Sequence, residues 1–251
     1  MISEKALRFP LSPLKSPYPP LPRLDSRLMA ALPYIRGGIV ADIGTDHAYL
    51  PVVLLSLNQC RFAVASDIHR GPAGIAARNL ERYGIGNDRA VVLLTDGLHG
   101  VEEYAPDDII LFGMGGEMIA RILDEGAAWI KTSAVRLILQ PMTHPEILRN
   151  YLDDNGFVIR DQRLVRADRI YQVICAEYDG SPRSHSLLEQ YIGTHNLTGG
   201  DALCLELVEH LRQVISTRRE KKQQSGRATP EEDRLLSEIR QYLLSKERTS
   251  L

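Results

Sequence analysis

The feature that most constrains the fold is a strand, turn and helix corner near the start of the chain. A short apolar run at Gly38–Ala41 leads into Asp42-Ile43-Gly44-Thr45-Asp46-His47-Ala48-Tyr49-Leu50-Pro51, and a helical pattern follows. A strand, a glycine turn and a helix N-terminus in this order form a nucleotide-binding corner. Asp46 and Ala48 stand where a G-x-G-x-x-G loop needs bare backbone, so a pyrophosphate fits poorly. A cofactor without phosphates, such as S-adenosylmethionine, fits better, which favours methyl transfer over hydride transfer.

Strand-like and helix-like segments alternate between residues 39 and 175. Alternation at this spacing predicts an α/β fold with a parallel, doubly wound sheet. The last two strands are separated by a polar stretch without a helical pattern, so we expect an antiparallel hairpin there. A parallel sheet that ends in such a hairpin is the Rossmann-like sheet of class I methyltransferases. The predicted strands are Ile39–Ile43, Phe62–Ser66, Ala90–Leu94, Ile109–Phe112, Val135–Leu139, Phe157–Arg160 and Ile170–Cys175, and the predicted helices between them are 48–57, 72–83, 118–125 and 145–155.

Three segments of different character predict the domain organisation. Residues 1–22 are rich in proline and are expected to form an extended arm. Residues 23–180 begin with a helical pattern, contain the predicted strands and end at a turn-like Gly-Ser-Pro sequence. Residues 181–251 are purely helical, and two apolar stripes in them predict an antiparallel helical hairpin. Its second helix should start at Thr229, with a proline in the first turn and Glu232 as a capping-box residue.

Composition narrows the partners of this chain of 251 residues. The formal net charge is −2, so a nucleic acid must be bound by a local basic patch and not by overall charge. Cys60, Cys175 and Cys204 lie far apart and predict no zinc site, and we expect no metal. No run of about 18 apolar residues occurs, so no membrane span is expected. We predict a soluble, cytoplasmic protein and leave its oligomeric state open, with a monomer as one option.

Polar residues and glycines at the predicted strand ends form the candidate cofactor site. Asp67 ends the second strand 23 residues after Gly44, which suits hydrogen bonds to ribose hydroxyls. Asp96 ends the third strand, within reach of an adenine amino group. Each aspartate alone is better explained as a cap or turn residue, but together with a glycine-rich turn after strand four they favour a ligand site. The predicted cofactor-binding residues are Asp42, Gly44, Thr45, Asp67, Asp96, Gly97, Gly113, Met114 and Gly115.

Several motifs together resemble the bacterial tRNA adenine-22 N1-methyltransferases, over about residues 23–175. The chain departs from that family at Asp67, where the family usually has glutamate, and in its proline-rich arm. The resemblance implies a class I methyltransferase domain followed by a coiled-coil-like helical domain, with S-adenosylmethionine as cofactor and tRNA as substrate. The motifs that carry it are residues 42–51, Gly71-Pro72, Asp96-Gly97-Leu98, Gly113-Met114-Gly115-Gly116, Leu139-Gln140-Pro141 and Ile170-Tyr171.

The implied reaction, methylation of adenosine N1, suggests roles for three residues after the glycine turn. Neutral adenine N1 already has a lone pair, so the enzyme must mainly align it and stabilise the cationic product. Asp46 is the candidate acceptor of a hydrogen bond from the exocyclic amine. His47 could hold the base, orient Asp46 or be structural. Tyr49 could stack on the base, which must be extruded from any pairing, or belong to the core.

Clusters of cations provide the candidate contacts to RNA. One cluster lies near the loop of the helical hairpin, and two arginines lie in the first predicted helix. If the two apolar stripes of the hairpin seal against each other, the cations of the first cluster stay free to meet phosphates. The alternative is a solvated surface, the commonest explanation of a charge run. The predicted RNA-binding residues are Arg23, Arg27, Arg218, Arg219, Lys221, Lys222 and Arg227; Arg160, Arg163, Arg166 and Arg169 form a second group around the β-hairpin.

Two other functions remain open from the residues alone. The chain could be an RNA-binding module that keeps the methyltransferase fold without turnover. It could also methylate a small molecule or a protein, with the helical tail serving dimerisation. A dehydrogenase is disfavoured because the dinucleotide fingerprint is incomplete.

Overall fold

Seven strands form one mixed sheet in the computed structural model, which describes residues 18–249. The strands are β1 (Ile39–Ile43), β2 (Phe62–Asp67), β3 (Ala90–Leu94), β4 (Asp108–Met114), β5 (Arg136–Pro141), β6 (Phe157–Arg166) and β7 (Ile170–Tyr178). Their order across the sheet is β3-β2-β1-β4-β5-β7-β6. The first five are parallel, whereas β7 runs antiparallel to both β5 and β6. The predicted parallel sheet with a terminal antiparallel hairpin is confirmed.

The terminal hairpin is longer than predicted. Strand β6 continues to Arg166, so only three residues form the turn before β7 begins at Ile170. Strand β7 continues to Tyr178 at its other end. The alternating polar residues of β6 hid this extension, because an edge strand exposes one face to solvent. Strand β4 is also longer, and its register with β5 shifts between Phe112 and Met114. This irregularity lies at the carboxyl end of the sheet, where the candidate site was predicted.

Helices cover both faces of the sheet. Successive residues of a strand face opposite sides, and accordingly Ala41 packs into one apolar cluster and Val40 into the other. The first cluster includes side chains of the helices at 116–125 and 145–154, and the second includes side chains of those at 26–31, 49–56 and 70–82. A strand buried on both faces needs a continuous apolar run, as β4 has from Ile109 to Phe112 and β1 has from Ile39 to Ala41. The helices are α1 (Ser26–Ala31), α2 (Tyr49–Ser56), α3 (Arg70–Arg82), α4 (Gly116–Glu125), α5 (Ala127–Ile130) and α6 (Pro145–Asp154).

The C-terminal segment is helical. Two short helices, α7 (Leu187–Ile192) and α8 (Thr194–Gly199), precede the long helices α9 (Ala202–Gln224) and α10 (Pro230–Thr249). The Tyr242 hydroxyl lies 3.5 Å from Cys204 Sγ, so the end of α10 meets the start of α9. Helices α9 and α10 are therefore antiparallel, as predicted. The short helices α7 and α8 were not foreseen.

Arg149 joins the helical segment to the sheet. Its guanidinium is buried and donates to the side-chain oxygens of Gln162 and Gln172 at 3.0 and 2.6 Å. It also donates to the carbonyl oxygen of Gln190 near the end of α7. Burial lowers the pKa of Arg149 to about 10. This arginine satisfies carbonyls at the helix end that would otherwise lack partners.

Residues 1–17 of the predicted arm, and the last two residues of the predicted helical domain, lie outside the described residues. The described end of the arm passes the C-terminus of α3, where the Tyr83 hydroxyl donates to the Pro20 carbonyl at 3.1 Å. Within residues 18–249, no helix is both long and apolar enough to cross a membrane. Over the same range, no group of three or more His, Cys, Asp or Glu side chains is arranged to hold a metal. The three cysteines are buried and unpaired.

Candidate active site

A cavity of about 390 Å³ opens at the carboxyl ends of β1, β4 and β5. This is the edge at which ligands bind in doubly wound sheets. Its wall brings together eight of the residues that the sequence predicts for the cofactor, the chemistry or RNA. They are Arg27, Asp42, Gly44, Thr45, Asp46, His47, Tyr49 and Gly113.

The turn between β1 and α2 is fixed by backbone hydrogen bonds and by two left-handed residues. The amides of Gly44 and Thr45 both donate to the Ser66 carbonyl, at 2.8 and 2.9 Å. Gly44 has φ of 75° and Ala48 has φ of 52°. A left-handed alanine is strained, and such strain concentrates at functional sites. The Asn79 side chain holds the strained segment by donating to the His47 carbonyl at 2.9 Å.

Asp42 is a buried carboxylate in this cavity. It is 8 % exposed, and Thr45 Oγ1 donates to its Oδ2 at 2.5 Å. Among the residues that the structure describes, no cationic side chain lies within ion-pair distance of it. Burial raises the pKa of Asp42 to about 6, although the Thr45 hydrogen bond opposes the shift. A buried carboxylate of this kind is suited to bind a ligand cation such as an ammonium group.

Asp46, His47 and Tyr49 form a second polar group on the same wall. Asp46 Oδ2 lies 3.1 Å from His47 Nε2, and the Asp46 side chain is 72 % exposed. The His47 and Tyr49 rings stack with centroids 5.1 Å apart. Tyr49 is 39 % exposed, so it does not belong to the core. His47 therefore contacts both neighbours and is placed to orient them.

The other predicted cofactor residues lie along the same edge, outside the wall of this cavity. Asp67 ends β2 and accepts a hydrogen bond of 2.7 Å from the His69 amide. Asp96 follows β3, and its Oδ1 lies 3.9 Å from Arg121. Three exposed apolar residues lie among them and were missed by the sequence analysis. They are Ile68, Leu94 and Met118, which are about half exposed.

The glycines at the end of β4, from Gly113 within the strand to Gly116 beyond it, serve two different purposes. Gly113 has φ of 78°, and a Cβ there would meet open space. At Gly116 a Cβ would collide with the His144 carbonyl, and the Gly116 amide donates to Thr143 at 2.7 Å. Packing against the loop after β5 therefore requires Gly116. Gly97 is left-handed, Gly115 approaches the Thr143 side chain, and the Met114 side chain lies over Gly44.

Gln140 was not predicted as a site residue, although it lies in a motif singled out above. Its side chain is fully buried in the cavity wall at the end of β5. Its oxygen accepts from the Gly113 amide at 3.3 Å, and its nitrogen donates to the Pro141 carbonyl at 2.9 Å. It thus holds the irregular end of β4 against the loop after β5. A buried polar residue closing an apolar strand is the signal that could have identified it.

Comparisons with known proteins identify the family. Residues 24–174 match the family model of a methyltransferase domain. The tRNA (adenine(22)-N(1))-methyltransferase of Bacillus subtilis (strain 168) is 35 % identical over 175 residues, which span 66 % of this chain and 73 % of that protein. The chain belongs to the tRNA (adenine(22)-N(1))-methyltransferase family. The predicted family resemblance is confirmed.

Two solved structures of this methyltransferase fold are closely similar. A Streptococcus pneumoniae protein, Sp1610, in complex with S-adenosyl-L-methionine, has a TM-score of 0.77 and 27 % identity, and the match covers 88 % of this chain and all of that one. The Bacillus subtilis M1A22 tRNA methyltransferase has a TM-score of 0.74 and 30 % identity, covering 90 % and 98 %. The similarity extends beyond the sheet to the helical segment.

Three of the five cations predicted to be free in this methyltransferase are paired. Arg218 and Lys222 contact Glu232 at 2.9 and 2.6 Å, and Arg219 contacts Asp233 at 2.5 Å. The expectation of five free cations is wrong because the acidic first turn of α10 packs against the end of α9. Glu232 consequently serves this pairing instead of the predicted capping box.

Four other predicted RNA-binding cations have different environments. In the described chain, no carboxylate lies within 4 Å of Lys221 or Arg227; the Arg227 Nε donates to Ser225 Oγ at 2.9 Å. Arg27 pairs with Asp25 at 2.6 Å and reaches the cavity. Arg23 is exposed ahead of α1.

A larger groove of about 820 Å³ lies next to the sheet edge. It is bounded by the loop after β5, the turn between β6 and β7, and helix α9. Met142, Arg169 and Tyr171 form one end of it, and His210 and Arg218 line the side formed by α9. The sequence predicted the elements but not the groove between them, because it depends on how α9 packs against the sheet.

Proposed function

We propose that the protein transfers a methyl group from S-adenosylmethionine to N1 of adenosine 22 in tRNA. The observation that carries the proposal is the shared wall of one cavity, where the buried Asp42 and the exposed Asp46 lie on the same turn. Asp42 suits a cationic cofactor, and Asp46 suits an incoming base. Family membership supports the same reaction.

The residues present fit S-adenosylmethionine. Asp42 can accept from the ammonium group of its methionine part, and Gly113 leaves the backbone open beside it. Asp67 suits the ribose hydroxyls, and Asp96 suits the adenine amine. Ile68, Leu94 and Met118 offer apolar surface for the faces of that adenine. The cofactor supplies an electrophilic methyl group when it is bound.

The roles of the remaining residues follow from the charge that develops on the target base. Asp46 accepts a hydrogen bond from the exocyclic amine, which strengthens as the ring becomes cationic. His47 contacts Asp46 and stacks on Tyr49, so it positions both. Tyr49 offers an exposed ring on which the extruded base can stack. Gln140 is a positioning residue that keeps Gly113 in place.

The two segments of the chain have different roles. Residues 23–180 bind the cofactor and perform the chemistry, and residues 181–251 supply affinity for tRNA. Lys221 and Arg227 are the candidate phosphate contacts of the helical segment, since the other three cations of the predicted cluster are paired. A tRNA substrate supports a cytoplasmic location.

The test is mass spectrometry of nucleosides from unmodified tRNA incubated with the purified protein and S-adenosylmethionine. We expect 1-methyladenosine in the sample and none in a control without cofactor. Tight tRNA binding without any methylated nucleoside would indicate a non-catalytic RNA-binding module. Cofactor turnover on other substrates, with tRNA left unchanged, would indicate a different methyl acceptor.

A further inference from the structure

Two arginines from distant parts of the chain lie against one tyrosine ring. The guanidinium carbon of Arg27, in α1, lies 5.2 Å from the centre of the Tyr171 ring. That of Arg169, in the turn between β6 and β7, lies 4.9 Å from the same centre. The tyrosine is only 4 % exposed. It therefore holds the two cations in place and leaves little open ring for a base.

Further contacts fix this cluster, which we call the arginine clamp (Arg27, Arg169 and Tyr171). The Tyr171 hydroxyl donates to Asp168 Oδ1 at 2.8 Å. Both arginines meet Met142: Arg169 Nη2 donates to its carbonyl at 2.9 Å, and Arg27 Nη1 lies 3.4 Å from its sulfur. A thioether is a weak acceptor, so Nη1 of Arg27 can exchange this partner for a stronger one.

The clamp lies between the cavity and the larger groove. Arg27 belongs to the wall of the cavity that contains Asp42 and Asp46. Arg169 and Tyr171 belong to the wall of the larger groove. A strand that leaves a base in the cavity and continues along the groove must pass these side chains.

The pairing of charges singles out Arg169. The groove is also lined by Arg166 and Arg218, but Arg166 pairs with Glu206 and Arg218 with Glu232. Among the arginines that line the groove in the described chain, Arg169 alone has no carboxylate within 4 Å. The carboxylate of the neighbouring Asp168 accepts from Tyr171; it interacts electrostatically with Arg169 but lies beyond ion-pair distance.

We infer that the arginine clamp binds the phosphate backbone of the RNA strand beside the methylated adenosine. The inference rests on the proposed function and adds the path of the strand. An extruded base leaves its phosphates outside the cavity, where they need cations. Guanidinium groups suit them because their planar donors match two phosphate oxygens. Arg169 provides the unpaired charge, and Arg27 provides donors already oriented by Asp25.

Arg169→Gln tests this inference, with Arg163→Gln as the matched control. Arg163 also lies over a tyrosine, 5.2 Å from the centre of the Tyr34 ring, but it lines neither the cavity nor the groove. The probe is an unmodified bacterial tRNA transcript with adenosine at position 22. For Arg169→Gln we expect KM for tRNA to rise about tenfold, the effect of losing one charge-assisted hydrogen bond. Affinity for S-adenosylmethionine and kcat should stay unchanged.

Salt dependence separates a phosphate contact from a structural role. Arg169→Gln should reduce the slope of log affinity against log salt by about one, and Arg169→Lys should restore it. A KM for tRNA and a salt slope of Arg169→Gln equal to those of the wild-type protein would overturn the inference. Absence of 1-methyladenosine with the wild-type protein would overturn the proposed function instead. The salt slopes for tRNA binding, measured without cofactor, would still decide whether the clamp holds RNA.

Discussion

Thr45 Oγ1 donates a hydrogen bond of 2.5 Å to Asp42 Oδ2 at the bottom of the cavity. This hydroxyl only partly replaces the water that Asp42 loses on burial, and the pKa of Asp42 is raised from 3.8 to about 6. The ionised carboxylate therefore destabilises the folded protein, and a bound cation would offset this cost. The same residue thus links protein stability, pH and cofactor binding.

The first prediction concerns stability. The folded-state pKa of Asp42 exceeds its unfolded value. The contribution of Asp42 to the free energy of unfolding is therefore fully present below about pH 3.8 and is lost as pH rises through 6. The loss amounts to about 3 kcal/mol. Asp42→Asn should remove it, so the variant gains stability relative to wild type between pH 4.5 and 7. Urea unfolding of both proteins at pH 4.5 and pH 7 measures the difference between their free energies of unfolding. The same difference at both pH values would contradict the raised pKa of Asp42.

The second prediction concerns the ribose contact. Asp67→Ala should weaken binding of S-adenosylmethionine by about 1–3 kcal/mol, because ribose hydroxyls lose their acceptor. Calorimetry measures this change. Asp88→Ala is the control, since Asp88 is an exposed residue ahead of β3, at the opposite edge of the sheet. Equal affinities for the two variants would remove Asp67 from the site.

The third prediction concerns the acceptor of the target amine. Asp46→Ala should slow single-turnover methylation by about 100-fold or more, the usual effect of removing one group that stabilises developing charge. Its affinity for S-adenosylmethionine should stay within a few-fold of wild type, because its partner is the target base. A rapid-quench assay at saturating tRNA measures the rate. A near-normal rate would exclude the role.

The fourth prediction concerns the helical segment. Replacing Lys221 and Arg227 together with glutamine should weaken tRNA binding and lower the salt slope by about two, since two phosphate contacts are lost. Arg219→Gln is the comparison, because its guanidinium already pairs with Asp233. That variant should bind tRNA almost normally. Identical behaviour of the double variant and wild type would show that the pair is a solvated surface.

The sequence indicated the inner part of the site because its elements are local. The glycine turn from Asp42 to Tyr49 belongs to one strand, turn and helix unit, and its position in the sheet follows from the alternation of elements. Side chains that depend on packing between distant elements were not predictable in this way. Gln140 acts through Gly113 of the neighbouring strand, and Arg169 meets Arg27 only because α1 packs beside the terminal hairpin.

The pairing of the α9 cations was not predictable for the same reason. A run of basic residues in α9 carries no local sign that an acidic turn of α10 will pack against it. Arg218 and Lys222 are neutralised by Glu232, ten or more residues further along the chain. The hairpin itself was predictable from its two apolar stripes. The charge left on its surface required the register between the helices.

The most direct test of the account is the position of the methyl group on tRNA. A methyl group on N1 blocks the Watson–Crick edge of adenine, so reverse transcriptase stops just before it. After incubation with the protein and S-adenosylmethionine, primer extension should stop immediately 3′ of position 22, and a transcript with guanosine at that position should show no stop. Full-length extension through adenosine 22, or a stop at another adenosine, would contradict the proposed reaction.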